Sequence, residues 1–165
     1  MKWIKKIFIK YKSNKKRPAN FEKSKKSIED IKSIHILACS YENLVKSQAL
    51  IQDRWDGELE IIGKIYQKSP NHEGALSYKD FDLFGSANPE LQEFIKSPSD
   101  LMILTFTADD PFITKIIRDK ISSYKAGFYY SKNLQLLDIM VQPEGQEMVS
   151  NLENLVKYLK HILKK

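Results

Sequence analysis

"DLMILTF", residues 100–106, is the stretch that decides the fold. It is apolar almost throughout over a strand-sized length, the pattern of a strand covered on both faces, as in the middle of a parallel sheet. Parallel neighbours need crossover connections, so helices should flank this run on either side in the sequence. "NPELQEFI" (88–95) before it and "PFITKIIRDKISS" (111–123) after it both read as helices, with a cap residue, Asn88 or Asp110, directly before the proline of each.

Further outward, "SIHILAC" (33–39) and "ELEIIGKIY" (58–66) read as strands, and "ENLVKSQALIQDRW" (42–55) between them reads as a helix with Leu44, Val45, Gln48, Ile51 and Trp55 along one side. "KAGFYY" (125–130) and "LLDIMVQ" (136–142) follow as strands, and the chain ends in a helical run from "EMVSNLENL". The alternation predicts a three-layer α/β domain around a mainly parallel sheet of about five strands, flavodoxin-like or Rossmann-like, in the order 2-1-3-4-5. The link between the last two strands is too short for a regular helix, which leaves that edge irregular or partly antiparallel.

The charge divides the chain in two. Residues 1–32 carry twelve Lys and Arg against Glu22, Glu29 and Asp30, whereas residues 33–165 carry fifteen basic and eighteen acidic residues. The formal net charge of +6 is therefore a basic arm in front of a mildly acidic globule. We divide the chain accordingly into an arm with its linker, 1–32, and an α/β domain, 33–165. Within the arm, helical spacing over residues 2–12 puts Trp3, Ile4, Ile7, Phe8 and Tyr11 on one face and Lys2, Lys5, Lys6, Lys10 and Lys12 on the other, with Ile9 alone on the basic side. Pro18 ends that helix, a polar basic connector follows, and Ser27 with Asp30 has capping-box spacing.

Composition excludes several classes. The single Cys39 rules out an internal disulfide framework and any multi-cysteine zinc site, and it fits a reducing cytoplasm. No apolar run approaches the roughly 20 residues needed to cross a bilayer, and lysines break up what a signal peptide would need as its apolar core. His35, His72 and His161 lack metal-ligand spacing, so no metal is expected. His35 and Cys39 stand four residues apart on an extended strand, roughly 13 Å, too far for a relay. Cys39 reads instead as a small buried apolar side chain.

In an open α/β sheet a ligand sits beyond the carboxyl ends of the strands. The turn after 33–39 lacks the glycines of a phosphate-cradling loop, and Gly63 falls inside a strand, so no nucleotide cofactor is expected. Asp109 and Asp110 form the best carboxylate pair, but Pro111 at the first helical position makes Asp110 an N-cap and Asp109 a charge at the favourable end of the dipole. Asn88 before Pro89 repeats the device. "YKDFDLFG" (78–85) carries more aromatics than a loop requires; they are expected to cover a sheet edge or helix end, with Gly85 supplying a turn.

"KSIHILA", "YKDFDLFG", "SDLMILTF" and "KAGFYY", in this order and spacing, resemble an uncharacterised family of small bacterial proteins, a domain of unknown function, over roughly residues 30–163. That resemblance implies a compact α/β domain and brings no established activity or catalytic residue. "DLMILTF" followed by "KAGFYY" is also similar to one half of the two-domain heptosyltransferase-type sugar transferases of lipopolysaccharide cores, whose second, nucleotide-binding half this sequence does not contain.

These features predict a non-catalytic cytoplasmic module held on an anionic partner by its arm. Ribosomal or other structured RNA is the first expectation: Lys2, Lys5, Lys6, Lys10, Lys12, Lys15, Lys16 and Arg17 meet phosphates, while Trp3, Phe8 and Tyr11 stack on bases or anchor in a crevice. No motif for sequence-specific DNA reading occurs. The second expectation is a peripheral protein at the inner face of a membrane or in a membrane complex, anchored by the same helix. The third is a small enzyme acting on a nucleotide-like or sugar-like ligand at the strand ends.

Overall fold

The computed structural model describes residues 1–13, 26–107, 109–130 and 135–164, and for Tyr11, Lys12 and Ser13 it describes the helical backbone. The chain forms α1 (Lys2–Ser13), β1 (Ser33–Ala38), α2 (Tyr41–Arg54), β2 (Glu60–Ile65), α3 (Pro89–Lys96), β3 (Ser99–Leu104), α4 (Pro111–Asp119), β4 (Ser122–Phe128), β5 (Ile139–Val141) and α5 (Met148–Ile162). The five strands make one sheet in the order β2-β1-β3-β4-β5, and every pairing is parallel. The last edge is thus parallel and three residues long, not antiparallel: Asp138 accepts from the Lys125 amide at 2.9 Å and leads β5 in beside β4.

β3 sits in the centre, with Leu101, Met102, Ile103 and Leu104 all buried. Because side chains alternate, Leu101 and Ile103 enter one layer with Ile34, Ile36 and the buried faces of α2 and α5, while Met102 and Leu104 enter the other with Leu37 and the residues of α3 and α4. Trp55, at the end of α2, is 6 % exposed in the first layer. Each fully buried aliphatic or aromatic side chain contributes roughly 1.5–3 kcal/mol, so both layers are needed to offset the ordering entropy of the chain.

Glycine matters at one close approach in the sheet. A Cβ on Gly63 would lie 2.3 Å from Leu44 Cδ1, so the missing side chain lets α2 pack directly on β2. Helix starts follow the sequence closely. Ser40 accepts from Asn43 N at 3.2 Å, Asn88 from Leu91 N at 2.8 Å and Asp110 from Phe112 N at 2.9 Å, with Pro89 and Pro111 in first-turn positions. Residues 26–32 are stitched to the globule as well: Lys26 pairs with Asp100, Ile28 N donates to Leu163 O at 2.8 Å, and the Ser27–Asp30 capping box forms.

Candidate docking surface on the N-terminal helix

α1 lies against α4 and the loop that follows β2. Residues 2, 5 and 9 fall on one side of a helix, and this is the side that meets the body. Ile9 is completely buried, in the layer that holds Phe81 and Phe112. Its seat depends on Gly85, where φ is +77° and an added Cβ would come within 2.9 Å of Ile9 Cγ1. Lys5 Nζ donates to the carbonyl oxygen of Phe81 and, at 3.4 Å, to that of Tyr78, while Lys2 Nζ stands 4.6 Å from the Tyr78 ring centroid.

The loop is built to receive these groups. Asp80 accepts from Ser77 N at 2.7 Å and from Asn88 Nδ2 at 2.8 Å, and Asp82 Oδ1 accepts from both Phe84 N and Ser86 N at 2.8 Å. Its aromatics divide. Phe81 is buried, its ring centroid 5.4 Å from that of Phe112 on α4, as expected of a residue covering a helix. Phe84 instead points outward, 62 % exposed, and meets Phe8 edge-on at 5.7 Å.

The opposite side of α1 faces solvent. Trp3 is 65 % exposed and Ile7 57 %, with Phe8 also exposed and Ile4 half-buried. Lys6 and Lys10 are exposed alongside them. The helix is therefore seated through Ile9 and two of its lysines, and the apolar stripe that the sequence marks so clearly is turned away from the body. Of the anticipated anion-binding residues, Lys6 and Lys10 are open to a partner and Lys2 and Lys5 are engaged internally. The side chains of Tyr11 and Lys12, and the whole of Lys15, Lys16 and Arg17, lie outside the described residues. Phe84 extends the same apolar surface, and sequence reasoning missed it because its neighbour Phe8 is far away in the chain; Leu83 before it is exposed as well. The exposed pair Leu83-Phe84 directly before a turn glycine was the available signal.

Among the described residues the strand ends offer no comparable assembly. Cys39 is half-buried rather than sequestered, and its Sγ accepts from Asn43 Nδ2 at 3.3 Å. Asp110 is 4 % exposed and committed to capping α4. Beside it the Tyr66 hydroxyl is buried, and desolvation together with the Asp110 carboxylate raises its pKa, keeping it protonated. His72 stacks on Tyr41 with ring centroids 5.5 Å apart, away from His35. Among the described residues no three His, Cys, Asp or Glu side chains gather as metal ligands, and no helix is long and apolar enough to cross a membrane.

No curated protein and no solved structure is matched by this chain. A family model does match, over residues 5–162, running through α1 and the globule alike. With so much of its length covered, the chain belongs to DUF6913, a family of unknown function.

Proposed function

We propose that the chain is a non-catalytic α/β module that docks on an anionic membrane surface through the outer face of α1. The observation that carries this reading is the orientation of the helix: Trp3 and Ile7 point outward, Phe8 and Phe84 continue the patch, and Lys6 and Lys10 border it. An aliphatic centre with aromatic neighbours and a lysine border suits the boundary between acyl chains and negatively charged headgroups. Partial burial of four such side chains, at roughly 1.5–3 kcal/mol for each one fully covered, plus about 1 kcal/mol for each lysine near the surface, gives weak and reversible attachment. The membrane concerned is the inner face of the cytoplasmic membrane, where anionic lipid meets a reducing compartment.

RNA remains a second reading, favoured by the exposure of Trp3 and Phe8 as stacking platforms and by the basic run at residues 12–17. Ile7 at the centre of the face, and the internal use of Lys2 and Lys5, weigh toward lipid. Flotation of the full chain with phosphatidylcholine vesicles, with and without phosphatidylglycerol, tests the choice. Retention only with the anionic lipid, abolished by Ile7→Ser together with Phe84→Ser, is the expected result. Nuclease-sensitive binding to RNA that survives both substitutions, without vesicle retention, would replace the membrane by RNA.

A further inference from the structure

β2 forms one edge of the sheet and is six residues long, whereas β5 at the other edge has three. A very short edge strand offers little to pair with, so the longer edge needs its own account. Glu60 N donates to Lys32 O at 2.9 Å and Tyr66 N to Ala38 O at 2.8 Å, and the residues between run in unbroken register with β1. Main-chain groups alternate in direction along a strand, so residues 60, 62, 64 and 66 turn theirs toward β1, and Ile61, Gly63 and Ile65 turn theirs outward. The Ile65 carbonyl accepts from Leu76 N at 2.7 Å, where the chain comes back over the end of the strand. Ile61 and Gly63 keep outward N–H and C=O groups with no main-chain partner among the described residues.

The side chains of β2 alternate as well. Glu60, Ile62 and Lys64 share one face, on which Ile62 and Lys64 line a cavity of about 190 Å³ beneath α3, together with Phe94 and Ser97. Ile61 and Ile65 pack in the opposite layer, and Gly63 lies under Leu44. Ile61, Ile62 and Lys64 are half-buried and Glu60 is exposed, so an apolar edge stays partly uncovered between an acidic and a basic residue. Lys64 pairs with Glu90 at 2.7 Å on its outer side.

We propose that a second copy of this chain pairs with the free edge of β2, antiparallel and about a two-fold axis at Ile62, joining the two five-stranded sheets into one. In this register Ile61 stands opposite Gly63 of the second copy, and their outward groups make about four main-chain hydrogen bonds across the axis. Glu60 stands opposite Lys64 of the second copy in the closer kind of antiparallel pair, with Cα atoms roughly 4.5 Å apart, and the symmetry makes this contact twice. Sliding the strands by two residues in either direction loses both ion pairs, and in one direction it also calls on the Ile65 carbonyl, which Leu76 already occupies. A lysine on an edge repels most foreign strands, and here it meets a carboxylate only when the strand pairs with its own copy. The edge uses no residue of the docking surface on α1, so the two readings stand or fall separately.

The test is sedimentation of the full chain without lipid, from about 1 to about 500 μM. The wild type should pass from monomer to dimer within that range. Glu60→Lys alone sets two lysine pairs across the axis and Lys64→Glu alone sets two glutamate pairs, so each should raise the dissociation constant at least tenfold, while an equimolar mixture of the two variants should dimerise about as well as the wild type. Amide exchange of the wild type gives a second reading that needs no variant: the Ile61 and Gly63 N–H groups should exchange quickly in dilute protein and become protected as concentration rises. A wild type that stays monomeric throughout, a dimer undiminished by Glu60→Lys, folded variants that fail to dimerise on mixing, or a dimer in which those two amides still exchange quickly would overturn the proposal.

Discussion

Asp110 and His35 are both buried polar residues on the central strands or at their ends, and they serve different ends. Asp110 accepts from Phe112 N and caps α4. Asp110→Asn keeps an acceptor in place and should change urea-unfolding stability little, whereas Asp110→Ala should cost about 1 kcal/mol. His35 is held neutral: desolvation, with the Lys120 charge behind it, pushes its pKa from 6.5 down to about 4. Between those two values the unfolded chain binds more protons than the folded one, so stability is lost as pH falls from 6.5 and the loss is complete below about pH 4. Replacement by Phe removes this term. Unfolding free energies of wild type and His35→Phe, compared at neutral pH and near pH 4, should therefore diverge in favour of the variant at the acid end, by up to roughly 3 kcal/mol.

At the scale of the element, the amphipathic pattern of α1 separates an apolar face from a basic one and leaves open which of them meets the body. The protein seats Ile9, from the basic side, over Gly85 and satisfies Lys5 with two loop carbonyls. A hydrophobic stripe states that something will cover it and does not say what. The choice of side rests on a glycine and a loop far along the chain, which no local window contains. Stability should sort accordingly. Ile9→Ala should cost about 2–4 kcal/mol, while Ile7→Ser, on the solvent side, should stay within about 0.5 kcal/mol, both measured by chemical denaturation. Gly85→Ala should also destabilise, because φ is +77° and the new methyl meets Ile9, and Ile9→Ala in the same chain should relieve part of that loss.

Across the whole molecule, the architecture was far more legible than the surface. The apolar run at 100–106 marked β3 as central, helical periods on either side implied crossovers, and the order β2-β1-β3-β4-β5 followed. Cap chemistry at Asn88 and Asp110 was readable because it is local and each stands before a proline, whereas the Ser40 cap of α2, with no proline after it, was not. The ends of elements were less so: Ser122 and Ser123 open β4 although they read as the tail of α4, since Lys120 Nζ and the main chain after Asp119 are drawn to carbonyls of neighbouring segments. The cavity beneath α3 was invisible because it exists only where β1, β2 and α3 come together. If the basic arm and the apolar patch act together on lipid, retention on anionic vesicles should fall as salt rises from 50 to 200 mM, and at each salt it should be weaker still for Ile7→Ser with Phe84→Ser. An unchanged salt response and equal retention in that variant would mean that charge alone holds the protein.

The two tryptophans stand at opposite extremes of exposure, Trp3 on the outer side of α1 and Trp55 in the interior. Indole emission moves to shorter wavelength as its surroundings lose water, which makes the pair a built-in optical gauge. With Trp55 replaced by Phe, a blue shift on adding vesicles would report immersion of the helix alone. With Trp3 replaced instead, the remaining signal would follow loss of the folded interior and ignore the bilayer.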